Sequence, residues 1–379
     1  MAVPTSSASS IDHDREDGVP IGWRTLPLGD VVTLQRGFDL PIQNRIPGPV
    51  PIVSSSGVTG THLAARVAAP GVVTGRYGTI GQVYYIDRDF WPLNTTLYVK
   101  EFKGNDPLFI SYLLRTIDYR SVSDKSSVPG VNRNHLHLIR VPLPPIPEQR
   151  GIASLLGALD DKIELNRCMN ETLEAMARAL FKSWFVDFDP VRAKVEGRQP
   201  AGVAAETAAL FPETLEDSQV GEVPAGWTIS PLDAIASFLN GLAMQKYPAT
   251  GGDSLPVIKI AELRNGISGS TSRAGLDVPA QYVVQDGDLL FSWSGTLDVQ
   301  IWCGGPGALN QHLFRVTSSS CPRWFVYFWL KEYLPTFRGI AADKATTMGH
   351  IQRRHLSDAL VPVPPDSLLR RADGMITPL

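Results

Sequence analysis

The segment "SLLGALDDKIELNRCMNETLEAMARALFKSWF" (residues 154–185) contains no proline and a single glycine, and its apolar residues recur every three or four positions. This pattern predicts one long helix that covers residues 147–185. At about 1.5 Å per residue, such a helix is about 58 Å long, which is more than a small domain can cover. The segment therefore predicts a rod in the middle of the chain.

One stripe of the predicted helix follows the alternating spacing of four and three residues that is typical of coiled coils. It contains Ile152, Leu156, Leu159, Ile163, Asn166, Asn170, Leu173, Ala177, Leu180 and Trp184. Because such a seam needs an apolar partner helix, we expect these residues to form a subunit interface, and the two asparagines could fix its register. The alternative is an ordinary helix that lies along one domain.

The sequences on the two sides of the rod repeat each other. "PIGWRTLPLGDVV" (residues 20–32) returns as "PAGWTISPLDAIA" (residues 224–236), and "VPGVNRNHLHLIRVPLPP" (residues 128–145) returns as "MGHIQRRHLSDALVPVPP" (residues 348–365). Such internal repetition predicts two copies of one domain. Glycine-punctuated runs of β-branched and aromatic residues predict short strands, and two amphipathic segments predict helices. We therefore expect an α+β fold: two repeated domains with small twisted, largely antiparallel sheets, separated by a long coiled-coil-type helix.

These patterns divide the chain into six parts. We expect a disordered N-terminal segment (1–20), a first repeated domain (21–146), the spacer helix (147–190), a Pro/Gly/Ala/Glu-rich linker (191–223), a second repeated domain (224–365) and a short terminal helix (366–379). In the last part, "DSLLRRADGMITPL", Gly374 and Pro378 are expected to limit the helix to roughly two turns.

Composition limits the class of protein. The chain contains no run of eighteen apolar residues and no apolar leader, which argues against a membrane span or a signal peptide. Its three scattered cysteines argue against a disulfide framework and fit a reducing cytoplasm. The net charge is −3, but residues 21–145 carry 13 Lys and Arg against 8 Asp and Glu, a net charge of +5. Nucleic-acid binding is therefore permitted but not required.

Catalytic motifs are missing from the sequence. It has no phosphate-binding loop, no clustered metal ligands and no methyltransferase or nuclease signature. The glycine-rich stretch "TGRYGTIG" (residues 74–81) lacks the spacing of a cofactor loop and predicts a tight turn after a strand. We therefore expect no catalytic residue, no metal site and no cofactor in this chain.

Residues that suit contacts with DNA are concentrated at equivalent places of the two repeats. Arginine suits guanine, asparagine suits adenine and hydroxyl groups suit either base, while lysine and arginine also contact phosphate. The DNA-binding candidates of the first copy are Arg76, Tyr77, Lys125, Ser126, Ser127, Asn132, Arg133 and Asn134. Those of the second copy are Ser292, Trp293, Ser294, Lys344, Thr346, Thr347, Gln352, Arg353 and Arg354. An ordinary polar surface loop is the alternative for each group.

The repeated "GWRTLPLGDVV", the motif "VNRNHL" and the segment "VPLPPIPEQRGIASLLGALDDKIELNRCMNETLEAMARALFKSWFVDFDPV" (residues 141–191) resemble the specificity subunits of type I restriction–modification systems. The resemblance implies that the repeats are target-recognition domains, each reading half of a bipartite site in double-stranded DNA. It also implies that the helix docks the modification (methyltransferase) subunits, and that a restriction (motor and nuclease) subunit joins them. S-adenosylmethionine, ATP and Mg are then expected in those partners, while this subunit itself is not catalytic.

One feature departs from the family pattern. The family has a second long helix after the second recognition domain, whereas residues 366–379 offer only a short one, so this copy resembles a form truncated at that helix. A second chain or a modification subunit would then have to cover the seam. The alternative function is a non-enzymatic, two-domain interaction scaffold that binds protein or carbohydrate.

Overall fold

A computed structural model describes residues 20–119, 121–124, 130–343 and 349–378. The chain divides into two compact units, Met1–Arg167 and Cys168–Leu379. The division falls inside the long helix, so each unit holds one repeat and part of that helix.

The first unit contains small sheets and short helices. Its strands are β1 (Arg24–Pro27), β2 (Thr33–Arg36), β3 (Val50–Ser54), β4 (Gly57–His62), β5 (Gly71–Gly75), β6 (Val83–Ile86), β7 (Trp91–Pro92), β8 (Thr96–Glu101), β9 (Ser123–Asp124), β10 (Gly130–Val131) and β11 (Arg140–Leu143). Its short helices are α1 (Leu28–Val31), α2 (Pro107–Arg115) and α3 (Arg133–Leu138), together with a 3₁₀ turn at Ile42–Asn44.

The main sheet of the first unit has the order β2-β8-β5-β6, and all its pairs are antiparallel. A second sheet, β4-β3-β7, contains the parallel pair β3–β7, and β1 pairs with β11. Asp106 caps helix α2, because its carboxylate accepts a hydrogen bond from the Phe109 amide at 2.9 Å. Its apolar face, including Ile110 and Leu114, is fully buried against the sheet residues Val72 and Leu97.

Helix α4 (Ile146–Phe181) is the predicted rod. Its 36 residues make it about 54 Å long at about 1.5 Å per residue. Its first turns are fixed to the first unit by Gln149, which is 1% exposed and donates from Nε2 to the Asn105 side chain and the Pro144 carbonyl. A π-helical turn, Lys182–Val186, follows, and Phe188 then adopts a left-handed conformation with φ of 57°. The long helix therefore ends where the chain turns into the second repeat.

The second unit repeats the arrangement with longer helices. Its strands are β12 (Leu215–Ser218), β13 (Gly221–Pro224), β14 (Thr228–Pro231), β15 (Ser237–Asn240), β16 (Leu255–Ile258), β17 (Arg273–Ala274), β18 (Val283–Val284), β19 (Leu289–Ser292), β20 (Asp298–Ile301), β21 (Gly307–Leu309), β22 (Leu313–Thr317) and β23 (Leu360–Val363). Its helices are α5 (Asp189–Val195), α6 (Ala205–Ala208), α7 (Leu232–Ile235), α8 (Ile260–Asn265), α9 (Arg323–Asp343), α10 (Arg353–Ser357) and α11 (Asp366–Ile376), with 3₁₀ turns at Met244–Lys246 and Ala280–Tyr282.

The sheets of the second unit correspond to those of the first. The order β15-β22-β19-β20 matches β2-β8-β5-β6, and the pair β14–β23 matches β1–β11. The core is aromatic: Phe181 from α4 lies 5.3 Å from Phe328 and 6.0 Å from Phe325 of α9 between ring centroids. The α+β fold with two repeated domains and a long intervening helix is confirmed.

Two segments differ from the sequence-based expectation. Residues 191–223, expected to be a linker, contain most of α5, α6 and the hairpin β12–β13, and Val191, Phe211 and Val223 are buried in the core of the second unit. Helix α11 has three turns rather than two, because it continues through Gly374 and buries Leu368, Leu369, Ala372 and Ile376. Among the described residues, the helices are all too short or too polar to cross a membrane.

Candidate nucleic-acid interface

An open cleft of about 350 Å³ lies at one end of the main sheet in the first unit. We call it the first cleft; its lining residues are Arg36, Arg76, Tyr77, Leu97, Val131, Asn132 and Arg133. Arg36 ends β2 opposite Leu97 of β8, and Arg76 follows the last residue of β5. The amide of Val131 donates to the Arg76 carbonyl at 2.9 Å, which holds the two loops together.

The polar end of the first cleft is built by the start of α3. The Asn132 side chain accepts a hydrogen bond from the Asn134 amide at 3.0 Å and so caps α3. Arg133 is the first residue of α3. The Arg76 guanidinium lies 4.6 Å from the centre of the Tyr77 ring, whose residue is 41% exposed. The cleft thus presents three arginines beside an exposed aromatic ring.

A similar open cleft, of about 460 Å³, lies in the second unit. We call it the second cleft; its lining residues are Asn240, Trp293, Phe314, His350, Ile351, Gln352 and Arg353. Asn240 ends β15 opposite Phe314 of β22. The amide of Ile351 donates to the Trp293 carbonyl at 3.0 Å, and Gln352 precedes α10, which starts at Arg353.

The strand pairing shows that the two clefts occupy the same place in the two repeats. The pair Arg36–Leu97 corresponds to Asn240–Phe314. The bridge between Tyr77 and Gly130 corresponds to the one between Ser294 and His350. The hydrogen bonds from Val131 and Ile351 make Arg76 equivalent to Trp293, so the backbone is retained while the side chains change.

The second cleft differs from the first in how its side chains are held. The Trp293 indole donates from Nε1 to Asn240 Oδ1 at 2.9 Å. Arg353 donates from Nη2 to the Phe238 carbonyl at 2.9 Å, and its guanidinium lies 5.5 Å from the centre of the Phe314 ring. This cleft therefore combines aromatic surface, the side-chain amides of Asn240 and Gln352, and one restrained cation.

The predicted DNA-binding residues are only partly brought together. Arg76, Tyr77, Asn132 and Arg133 line the first cleft, and Trp293, Gln352 and Arg353 line the second. Asn134 and Arg354 are exposed on the short helices next to the clefts, one position beyond the lining arginines. Six further predicted residues fall outside the described residues: Lys125, Ser126, Ser127, Lys344, Thr346 and Thr347.

Two predicted contact residues are turned inward. Ser292 is fully buried, donates to the Thr296 carbonyl at 2.8 Å and accepts from the Asp298 amide at 2.7 Å. Ser294 is 3% exposed, and its hydroxyl lies 2.9 Å from His312 Nδ1. These hydroxyl groups stabilise the turn that presents Trp293, so they support the cleft rather than line it.

Arg36 and Asn240, which end equivalent strands, line the clefts although they are not among the residues predicted from the sequence. Gly37 follows Arg36, and Gly241 follows Asn240. Extending the repeat alignment beyond the tryptophan motif therefore aligns Arg36 with Asn240. A Cβ atom at Gly37 would lie 2.2 Å from the Leu93 carbonyl oxygen, and one at Gly241 would lie 2.3 Å from that of Asn310. The two glycines therefore allow the same close backbone approach in both repeats.

The predicted interface of the rod is only partly exposed. Leu159 and Ile163 are 51% and 58% exposed, and Asn166 and Asn170 are exposed as well. Ile152, Leu156, Leu173 and Leu180 are half-buried. Trp184 is 2% exposed, because its ring packs in the core 5.2 Å from that of Phe211. The exposed apolar surface is nevertheless wider than the predicted seam, since it also includes Leu155, Leu165, Met169 and Met176.

Acidic, histidine and cysteine side chains in the described part of the chain form no cluster that could hold a metal ion. The chemistry available in both clefts is hydrogen bonding, stacking and attraction of anions.

The chain is similar to known proteins both in sequence and in fold. Residues 20–175 match the family model described as the type I restriction modification DNA specificity domain. The chain is 26% identical to the specificity subunit of the type I restriction enzyme HindI from Haemophilus influenzae, over 82% of each chain. It is 25% identical to the MjaIX specificity subunit from Methanocaldococcus jannaschii, over 72% of this chain and 62% of that protein. Its fold is similar to that of the solved type I restriction–modification S subunit from M. genitalium, with a TM-score of 0.56, 14% identity, and coverage of 96% of this chain and 90% of the other.

Proposed function

We propose that this chain, which resembles type I restriction–modification specificity subunits in sequence and in fold, reads a bipartite site in double-stranded DNA with one half assigned to each repeat. Such specificity subunits are not catalytic. The reactions of the complex would belong to modification subunits, which use S-adenosylmethionine to methylate adenine, and to a restriction subunit that uses ATP and Mg. The complex would act on DNA in the cytoplasm.

The observation that carries this proposal is the equivalence of the two clefts. Their backbone hydrogen bonds and strand pairing are the same, whereas the lining changes from Arg76 and Asn132 to Trp293 and Gln352. A common backbone with exchanged polar side chains is what two readers of different short sequences require, because side chains specify bases while the framework sets position.

Each cleft has side chains suited to base edges. Arg133 can form paired hydrogen bonds with guanine, and Asn132 or Gln352 can do so with adenine. Asn132, Gln352, Arg133 and Arg353 are exposed. We propose that these residues read the two half-sites.

The long helix would provide the attachment site for the modification subunits. All of its residues from 158 to 172 are exposed, and among them are Leu159, Ile163, Leu165 and Met169. An apolar helix surface of this kind needs a partner of similar chemistry. We propose that a helical surface of the modification subunits supplies it.

The test of the DNA-reading role is a map of methylated adenines in cells that carry the complex. Arg133→Ala is expected to relax or abolish recognition of one half-site, and Arg353→Ala that of the other half-site. If both variants alter the same half-site, the assignment of one half-site to each repeat is overturned. If the wild-type chain shows no salt-dependent binding to duplex DNA, the interaction-scaffold alternative is favoured instead.

A further inference from the structure

The arginines of the first cleft have few partners within the protein. In the described residues, Arg76 and Arg133 form no ion pair, and the Arg36–Asp39 pair is 3.7 Å long, with both side chains more than half exposed. An exposed pair of this kind contributes little to stability and is easily exchanged for another anion. The same Asp39 oxygen also accepts a hydrogen bond from the Asn94 side chain, so Asp39 is not engaged by Arg36 alone. Arg76 lies over the exposed Tyr77 ring, but neither Arg76 nor Arg133 donates a side-chain hydrogen bond to another described residue, so the first cleft holds three cations that are available to a ligand.

Two of the three equivalent positions of the second cleft are occupied by neutral side chains. Arg36 is replaced by Asn240 and Arg76 by Trp293, and these two bind each other at 2.9 Å. The remaining Arg353 is held by the Phe238 carbonyl and by the Phe314 ring. In the first repeat the position of Phe314 is taken by Leu97, so no aromatic ring lies there to restrain Arg133.

We propose that the two repeats share the work of DNA binding unequally: Arg36 and Arg76 bind backbone phosphates and, together with the base-reading cation Arg133, supply most of the salt-dependent affinity, whereas the second cleft binds mainly through uncharged contacts of Trp293 and Gln352. Arg36 is thereby a further DNA-contacting residue, in addition to the candidates that the sequence predicts. The proposal rests on the proposed function, because it assumes that both clefts face DNA. Each phosphate that a cation neutralises releases condensed counterions and steepens the dependence of affinity on salt.

The experiment measures binding of the full-length chain to a mixed-sequence duplex of about 40 base pairs, between about 50 and about 200 mM KCl. The slope of log K against log salt should become shallower by about 0.9 for Arg36→Ala and by about 1.8 for the double variant Arg36→Asn, Arg76→Trp. That double variant gives the first cleft the neutral pair of the second. Arg353→Ala should change the slope by less than about 0.9, because its guanidinium is already engaged.

Arg88→Ala is the matched control, since Arg88 is an exposed arginine of the same unit that does not line the cleft. It should leave the slope unchanged. The single variant Arg36→Ala keeps the proposal testable if the double variant fails to fold, because Arg36 is exposed at a strand end.

The outcomes separate this proposal from the proposed function. A wild-type chain that binds with a steep salt slope, together with an unchanged slope for Arg36→Ala, overturns the unequal sharing but leaves the DNA-reading role in place. A larger loss of slope for Arg353→Ala than for Arg36→Ala also overturns it. A wild-type chain with no salt-dependent binding overturns both.

Discussion

The indole N–H of Trp293 donates to Asn240 Oδ1 at 2.9 Å, at the two positions where the first repeat carries Arg76 and Arg36. A neutral hydrogen-bonded pair thus replaces two cations on an otherwise similar backbone. Since Asn240 ends a strand and Trp293 follows another, the bond also joins two elements of the sheet. Changes at this pair should therefore affect one repeat only.

Replacement of Trp293 by phenylalanine is expected to impair reading of one half-site. It keeps an aromatic ring but removes the donor to Asn240, which should cost about 1 kcal/mol of stability in the second unit and shift the ring in the cleft. The recognised sequence, mapped by adenine methylation, should become degenerate in the half-site that Arg353→Ala also affects.

The control for Trp293→Phe is Trp302→Phe. The Trp302 indole donates to the Gly305 carbonyl at 2.6 Å but does not line the second cleft. This control should lose stability without any change in the recognised sequence. If both variants alter the same half-site equally, loss of stability rather than cleft geometry explains the effect.

Alanine at Gly37 or at Gly241 is expected to destabilise the repeat that contains it. The new Cβ atom would meet a backbone carbonyl oxygen at 2.2 Å or 2.3 Å, and a backbone group cannot move aside as a flexible side chain can. Overpacking of this kind costs about 1–3 kcal/mol. Urea unfolding should show a lower midpoint for the transition of the affected repeat.

Gly151→Ala provides the opposite control. Gly151 lies within α4, and a Cβ atom there would meet nothing within 4 Å. Since alanine favours a helix interior by about 0.5–1 kcal/mol over glycine, this change should stabilise the chain. Destabilisation by Gly151→Ala, or none by Gly37→Ala, would contradict the interpretation.

The sequence predicted the features that depend on periodic or repeated patterns. The seam from Ile152 to Trp184 predicted α4, because a helix of that length leaves a regular apolar stripe. The aligned tryptophan motifs, which contain Trp23 and Trp227, predicted two domains with the same fold. These signals are local, so they can be read without coordinates.

The sequence did not predict features that depend on contacts between distant segments. Phe211 and Val223 lie in a segment whose Pro, Gly and Ala content predicts a linker, yet both are buried. Arg36 has no motif around it, and only the pairing of β2 with β8 places it beside Arg76 and Arg133. Ser292 carries a polar side chain that suits DNA, but the turn uses it internally.

Stability of the first repeat is expected to fall as the solution becomes acidic, because His137 must remain neutral. Its Nε2 accepts a hydrogen bond from the Leu34 amide at 3.0 Å, which only an unprotonated nitrogen can do. Burial lowers the pKa of His137 below its usual range, and the positive charges of Arg133 and Lys103 lower it further. Because the folded-state pKa lies below the unfolded one, the contribution is complete above about pH 6.5 and is lost as the pH falls through and below that value.

The measurement is the free energy of unfolding of the wild type and of His137→Gln as a function of pH. The gap between them should be largest near pH 7 and should shrink toward about pH 5. His135→Gln, an exposed histidine of the same helix, should leave the profile unchanged. In addition, Arg133→Ala should raise the pKa of His137, as followed by NMR of the ring protons; an unchanged pKa would contradict the electrostatic part of this account.

Leu159→Glu is expected to prevent assembly with the modification subunits while the chain stays folded. Leu159 is 51% exposed in the middle of α4, so a carboxylate there remains in water until a partner covers it. Covering an unpaired charge with an apolar surface costs several kcal/mol, and each 1.4 kcal/mol weakens binding about tenfold. Copurification of co-expressed modification subunits should therefore fall at least about tenfold.

Leu276→Glu is the control, because Leu276 is 62% exposed and lies outside α4, so this variant tests whether any added charge has the same effect. Assembly must survive Leu276→Glu and fail with Leu159→Glu for α4 to be the docking surface, and unchanged copurification of the Leu159 variant would place that surface elsewhere.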